Sequence, residues 1–530
     1  MKVIEFEVEG RRAFLADRSN TAKVKDLFSF SVPSAFYSPA YRVWAQEKAA
    51  GIPEEERRGW NGKKSMFERN HIPVGLLKGM KAEILEKENI RLKIKNWEYR
   101  PHVALQEGFD ESDESYKYQN FCVESMISCI GAYGGGLVLA ATGVGKTKIA
   151  GQFSSHIDGD ILFVVDTIDL MYQSQTEIQE WLEKKGYDKK VGVVGNSKFE
   201  PERVTVATIQ TLQKHRNTAA SRKWTKNIDV IIIDEIHSQM GRRNFDVVTS
   251  IKPQAVIGLT ATLQMKKKPV KYKAMSIAGP VIFEFPITEG VEAGVLTQGV
   301  CLQVTVPDNT AERREIKKYK IKPGSLAKAR KLVLVEADDY EHHTVYHEGV
   351  DKVLFDLIKE GIARDYKIIA LVERVKHVKR LNKLLSPFDP TLCYGAVGKE
   401  DRKAAIKEMD KGKNDLIIAN GVFKKGINVK RVDLIIDLAQ RANKDDILQK
   451  FGRGVRLHRK KDGLLFITIT TDPANHKAWV SQRSAFKKAK IPIDDIPSHF
   501  GAKNILDKAE RLLSQTLKKN KPKPEQRKLF

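Results

Sequence analysis

Short, continuous apolar runs punctuate this chain, and stretches with helical spacing separate most of them. From residue 137 the runs are Leu137-Val138-Leu139, Ile161-Leu162-Phe163-Val164-Val165, Val204-Thr205-Val206-Ala207-Thr208, Val230-Ile231-Ile232-Ile233 and Ala255-Val256-Ile257-Gly258-Leu259. Runs this short and this apolar read as strands buried on both faces of a parallel sheet. A second set follows at Ile368–Val372, Leu416–Ala419, Leu434–Asp437 and Leu464–Thr468. Strands alternating with helices predict an α/β fold of two tandem doubly wound parallel-sheet lobes. Polar groups recur where the runs end: Thr167, Thr208, Asp234-Glu235-Ile236-His237, Thr260-Ala261-Thr262 and Asn420. Carboxyl ends of strands are where such sheets bind ligands.

The first hundred residues have a different pattern. Met1–Val8, Ala13–Leu15 and Ile90–Ile94 are strand-like, with helical spacing near Val24–Phe28 and Leu77–Leu85. They predict a small α+β domain over 1–105. Residues 106–115 are acidic and polar and read as a linker. The remaining expected boundaries are lobe one over 116–295, a connection over 296–345, lobe two over 346–500, and a helix with a basic tail over 501–530.

Composition narrows the class. At 41% hydrophobic and 30% charged, the chain reads as soluble and globular. It has no run of 18 uncharged apolar residues, so no membrane partner is expected. The start lacks a signal peptide's apolar centre. The four cysteines are far apart in a pattern that fits neither zinc nor a disulfide framework, as in a reducing cytoplasm. The net charge of +25 is unevenly placed. Residues 362–530 hold 39 Lys and Arg against 19 Asp and Glu, whereas residues 1–361 hold 53 against 48. A basic back half fits either nucleic acid or a solvated surface, and nucleic acid is the expected partner.

Candidate chemistry centres on Ala140-Ala141-Thr142-Gly143-Val144-Gly145-Lys146-Thr147, between an apolar strand and a helix start. Glycines let backbone N–H groups close around phosphate oxygens, and the helix N-terminus favours anions. Lys146 can reach the outer phosphates of ATP, and the Thr147 hydroxyl can hold Mg²⁺. Asp234 ends a buried strand and can hold the same Mg²⁺, while Glu235 can orient and deprotonate a water. His237 fits a coupling role toward Thr260 and Thr262 or a turn cap. Gln119, ahead of the loop, offers an amide that both donates and accepts. In lobe two, Gln449-Lys450-Phe451-Gly452-Arg453-Gly454-Val455-Arg456 places Arg453 and Arg456 three apart, which is one face of a helix. In the first domain, Trp60-Asn61-Gly62-Lys63 reads as a tight turn amid Arg57, Arg58, Lys64 and Arg69. Trp60 fits equally a core position or a base contact.

Together these segments resemble the superfamily 2 helicases and translocases of the DExH type over roughly residues 116–470. Ala140–Thr147 matches motif I, Asp234–His237 motif II and Thr260–Thr262 motif III. Lys425-Gly426-Ile427-Asn428 resembles motif V, and Gln449–Arg456 motif VI. The first hundred residues resemble the N-terminal domain of phage UvsW-type recombination helicases, through Leu27-Phe28-Ser29-Phe30, Trp60–Lys63 and Pro73-Val74-Gly75-Leu76. The resemblance implies two RecA-like lobes that bind ATP and Mg²⁺. It assigns nucleotide contacts to Gln119, Ala141–Thr147, Gly426 and Asn428, coupling to His237, Thr260, Thr262 and Gln449, and arginine fingers to Arg453 and Arg456. It further implies a motor on branched or forked DNA, with RNA possible within hybrids. Trp60, Lys63, Thr167, Thr208 and Asn420 are the candidate DNA contacts. A phage origin would place it in the host-cell cytoplasm. Three departures stand out: Asp166 where motif Ia often has proline, Asn428 where motif V often has an acid, and Asn61 where relatives often have aspartate. Open alternatives are an RNA helicase with the same engine, the motor of a restriction or repair complex, and a scaffold using ATP as a switch.

Overall fold

The computed structural model describes residues 2–96, 117–307, 345–420 and 429–519, apart from 10, 33–34, 36–37, 240–241, 262–267, 440–443 and 473–475. The expected linker therefore lies outside the described residues, as does the tail beyond 519. The chain forms two compact units, Met1–Ala140 with Gly145–Glu284, and Phe285–Phe530 with Ala141–Val144.

In the first unit the main sheet runs Lys198–Glu200, Gly192–Gly195, Val204–Thr208, Asp160–Val165, Ile228–Ile233, Ala255–Thr260, Gly135–Ala140, Val281–Phe285. From Gly192–Gly195 to Gly135–Ala140 the neighbours pair in parallel. Their interiors are Val, Ile and Leu because helices cover both faces and every strand residue must tolerate burial. Gly135–Ala140 is buried along its whole length. Register does more than content to align the strand ends. Ile233 lies opposite Gly258, and Thr260 opposite Leu139, so the strands ahead of Asp234, at Thr260 and at Ala140 end on one edge.

The first 95 residues of this unit build a four-stranded sheet, ordered His71–Pro73, Arg12–Leu15, Lys2–Glu9, Ile90–Lys95. A short ribbon, Ser29–Ser31 against Lys63–Ser65, stands beside it. Its apolar core, including Ile4, Phe6, Leu76 and Leu77, is continuous with lobe residues Tyr272, Met275 and Ala278. The helix Val74–Glu88 makes the contact. At Gly75 a Cβ would come within 2.4 Å of the Met275 carbonyl oxygen, so only glycine allows this approach. Arg11 closes the join. Its Nη1 donates to Gly134 O at 3.1 Å and Gln254 O at 3.5 Å, and its Nη2 donates to Ile277 O. Burial pulls this guanidinium down to about 10.

The second unit has a seven-stranded sheet, ordered Thr391–Cys393, Leu416–Ala419, Ile368–Leu371, Leu434–Asp437, Leu464–Asp472, Gly299–Pro307, Ile493–Pro497, every recorded pairing parallel. Gly299–Pro307, in the stretch expected as a connection, is thus an internal strand. Arg364, after the helix Glu348–Ala363, bonds Asp507 and Glu510 at 2.7 Å each, which fastens the helix Gly501–Lys519 to this sheet. Both lobes have the α/β parallel-sheet class that the apolar runs predict. Among the described residues no helix is long and apolar enough to cross a membrane.

Arg11→Ala should remove donors from three carbonyls buried at this join. The expected loss is about 2–4 kcal/mol of unfolding free energy, read by urea titration. An unchanged midpoint would show that water replaces the guanidinium.

Candidate nucleotide site

Residues 141–145 link the strand Gly135–Ala140 to the helix Lys146–Ser155. Two glycines permit the turn: Gly143 at φ 94° and Gly145 at φ 84°, both left-handed. Gly145 caps the helix, and Lys146 and Thr147 are its first two residues. Orphan N–H groups of this first turn face an anion by default. A Cβ at Gly145 would lie 2.8 Å from the Gln119 amide nitrogen. Gln119 is buried, and its Nε2 donates to the Tyr118 hydroxyl at 3.0 Å. The structure therefore brings the sequence-predicted glutamine and loop together.

The Lys146 ammonium donates to Ala140 O at 3.3 Å and stands 3.7 Å from Glu235 Oε1. Glu235 adopts φ 46°, a conformation that side chains avoid, and its N–H donates to Asp234 Oδ1 at 3.0 Å. Such strain, of about 1–3 kcal/mol, persists where surroundings over-determine it. Here they do. His237 Nδ1 is 2.6 Å from Thr260 Oγ1 and 3.3 Å from Glu235 Oε2, and the Thr260 hydroxyl lies 3.3 Å from the same carboxylate oxygen. Burial and the neighbouring Glu235 charge push Asp234 above the usual carboxylate range. Burial would raise Glu235 too, but the Lys146 ammonium and His237 hold it below that range. The lysine and histidine thus favour the charged form of Glu235, whereas burial beside Glu235 disfavours the charged form of Asp234.

The residues fit a nucleotide with Mg²⁺. The positive-φ glycines leave the loop's backbone open, Lys146 supplies the balancing charge, and Asp234 is a buried acid. Thr262, Gly426 and Asn428 lie outside the described residues. Among the described residues no group of three or more His, Cys, Asp or Glu could hold a metal by itself.

In the second unit, Gln449 and Arg453 lie on the helix Lys444–Gly454. Arg456 does not. The helix ends at Gly454, and Arg456 pairs with Leu296 in an antiparallel bridge, supported by Thr297 N–H donating to Val455 O at 2.7 Å. The expected shared helical face is thus replaced by a helix residue and a bridge residue. Glycines at 452 and 454, followed by β-branched Val455, are poor helix material. Lys450 escapes the sequence reading. It is buried, and its Nζ lies 2.9 and 3.0 Å from the two oxygens of Asp437, which is fully buried at its strand's end. A buried acid closing the run Leu434-Ile435-Ile436 is the available signal, since such a charge needs a partner.

The candidate DNA contacts fall differently. Thr167 and Thr208 are helix N-caps, accepting from Leu170 N–H at 3.3 Å and Thr211 N–H at 3.4 Å. Thr208 is also buried. Asn420 is half-buried, and its N–H donates to Cys393 O at 3.3 Å. Trp60 is half-buried with its Nε1 donating to Lys63 O at 2.6 Å, and Lys63 pairs with Asp26 at 3.1 Å. Asn61 Oδ1 accepts from Lys63 N–H at 3.0 Å, and Gly62 has φ 76°, as a tight turn requires. In the first domain, among the described residues, Trp44 carries stacked cations: Lys48 and Arg57 are each 5.3 Å from its ring centre, and Tyr41 is stacked beside it.

The sequence model described as type III restriction enzyme, res subunit, matches residues 113–265, and the helicase conserved C-terminal domain matches 350–458. The chain is 24% identical over 366 residues to DNA 3'-5' translocase XPB2 of Sulfurisphaera tokodaii, covering 64% of this chain and 79% of that one. It is 22% identical over 483 residues to the ATP-dependent DNA helicase uvsW of Enterobacteria phage T4, covering 84% and 86%. Among solved structures it is similar to S. cerevisiae Dbp5 bound to RNA and ADP BeF3, with TM-score 0.52, 16% identity and coverage of 76% and 93%. A fragment of an HsdR subunit of a type I restriction enzyme from Vibrio vulnificus gives TM-score 0.50, 16% identity and coverage of 72% and 68%. These two likenesses agree with a fold of two RecA-like domains.

Gly145→Ala forces a side chain into left-handed backbone and against Gln119. Nucleotide affinity should fall at least about tenfold, and the backbone strain should lower the melting temperature by about a few degrees. Titration of a fluorescent ATP analogue reads this, and full affinity would mean that the loop can reshape.

Proposed function

We propose that this chain, a superfamily 2 helicase resembling the phage UvsW type, couples ATP hydrolysis to the remodelling of branched DNA in the cytoplasm. The observation that carries the reading is the cluster Lys146, Glu235, Thr260 and His237, built behind a phosphate loop on one sheet edge. Its charges are arranged for phosphoryl transfer to water. The relatives named as a DNA helicase and a DNA translocase, and the basic back half, support DNA as the polymer.

In this reading residues 141–147 and Gln119 bind the nucleotide, and Gly426 and Asn428 are further proposed contacts to it. Thr147 and Asp234 hold Mg²⁺, which when bound neutralises phosphate charge. Glu235 takes a proton from the attacking water and is kept ionised for it by Lys146. His237 and Thr260 position that carboxylate, and so tie its readiness to the neighbouring strand. Arg453 and Arg456 stabilise charge developing on the transferred phosphoryl group. Gln449 completes the coupling set. Trp60 and Lys63 remain proposed DNA contacts, as do Thr167, Thr208 and Asn420 through the segments they cap or end. The acts proposed are branch migration, fork regression and unwinding of D-loops or R-loops in recombination and repair.

One observation favours a second reading. The res-subunit match over 113–265 would suit the motor of a restriction complex. Such a motor would displace no strand as an isolated chain.

Lys146→Ala should reduce ATP turnover by at least about a thousandfold while DNA binding, read by fluorescence anisotropy, survives. Normal turnover would sink the site. Arg453→Ala should keep nucleotide affinity within a few-fold and lose about a thousandfold in kcat. A loss confined to affinity would remove the finger role. Stimulation of turnover by a four-way junction above duplex, single strand and RNA tests the substrate; stimulation by RNA alone would overturn the DNA reading.

A further inference from the structure

Charge in the front two thirds of the chain is nearly balanced in total, but it is gathered locally into basic stretches, and one of these falls wholly on described helices. Residues 204–227 contain Lys214, Arg216, Arg222, Lys223 and Lys226 and no Asp or Glu. They fold as two short helices, Ile209–His215 and Ala219–Thr225. Thr208 caps the first, and Thr218 caps the second by accepting from Ser221 N–H at 3.3 Å. Ile209, Leu212 and Ser221 are buried, and Trp224 lies edge-on to Phe199 with ring centres 5.7 Å apart. These contacts fix which side faces inward. All five cations are exposed. Among the described residues none of them forms an ion pair; Arg222 reaches only Asn217 Oδ1, at 3.5 Å. The next acid, Asp229, is turned to Asp160 N–H and Gln254. The adjoining edge strand carries Lys198 and Glu200, which offset each other.

Like charges placed together without carboxylates repel, at a cost to stability that a solvated surface avoids by interspersing signs. A polyanion removes that repulsion. We propose that the outward faces of these two helices form a contact for the phosphate backbone of duplex DNA, separate from the nucleotide site. Single-strand sites interleave cations with exposed aromatic platforms for base stacking. Here the helices' own aromatics, His215 and Trp224, are half-buried, and the exposed Phe199 beside them meets Trp224 edge-on, which leaves one open ring against five cations. Regular phosphates, not bases, suit such a face, and a duplex presents them at about one charge per 1.7 Å of axis. The proposal rests on the reading of this chain as a DNA motor.

The test uses the full chain with Arg222→Gln, Lys223→Gln and Lys226→Gln combined, and separately with Lys214→Gln and Arg216→Gln combined. Binding to a labelled blunt duplex of mixed sequence is followed from about 50 to 200 mM salt. The expected result is a slope of log K against log salt that is shallower by about 2–3 in the triple variant and about 1–2 in the double, since each lost phosphate contact removes about 0.9. ATPase without DNA should match the wild type, and the melting temperature should equal or exceed it as the repulsion is relieved. Substituting Arg222→Lys alone should keep the slope. An unchanged duplex slope in both variants overturns the contact. A slope that changes on single-stranded DNA but not on duplex overturns the assignment to duplex. A wild-type chain that binds no DNA at all overturns the functional reading itself, and this surface with it.

Discussion

Opposite charges held 3.7 Å apart at the end of a buried sheet, the Lys146 ammonium and the Glu235 carboxylate, set the terms for the first lobe. Neither could sit inside the layer, where an uncompensated charge costs several kcal/mol. They can sit at the carboxyl edge because parallel register brings three strand ends level. The helix Lys146–Ser155 starts at this edge too, so in the proposed mechanism attraction for phosphate and activation of water share one small volume. The left-handed backbone at Glu235 belongs to this arrangement. It aims the carboxylate toward Lys146, and His237 with Thr260 holds it there.

The second lobe solves a similar problem inwardly. Asp437 and Lys450 are both buried, and each is the other's compensation. Removing one partner of such a pair typically costs about 3–5 kcal/mol. The pair binds the helix Lys444–Gly454 to its strand, while Phe451 packs between Phe466 and Phe486. Arg453 follows Phe451 by two residues on the same helix, so its backbone is held by that packing. The N-terminal sheet is fixed by the same means, a charge satisfied by polar groups at an apolar join. Arg11 meets three carbonyls there, at the edges of strands and a helix.

Much of this is legible in the sequence, for identifiable reasons. Buried parallel strands are continuous apolar runs, so both lobes can be read from composition alone along short windows. The phosphate loop and the Asp234-Glu235 pair can be read because their chemistry depends on adjacent residues. Features that depend on distant residues cannot. Arg11 sits in a turn with no periodic pattern, and its partners are backbone atoms more than a hundred residues away. Lys450 looks like one more surface lysine until Asp437 is placed beside it. Arg456 is misplaced on a helix because spacing of three suggests a helical face wherever it occurs, and the stop at Gly454 outweighs that spacing. Thr208 ends a strand and is an expected DNA contact, yet helix capping takes its hydroxyl. Cations after it, rather than the threonine, face outward.

In the proposed mechanism, turnover at this site moves DNA strands at a branch. The most direct measurement follows labelled product strands from a mobile four-way junction, with purified chain, Mg²⁺ and ATP, beside the Lys146→Ala variant and a non-hydrolysable analogue. The predicted result is ATP-dependent exchange of strands by the wild type and none in either control. Turnover of ATP with the junction left intact would contradict it.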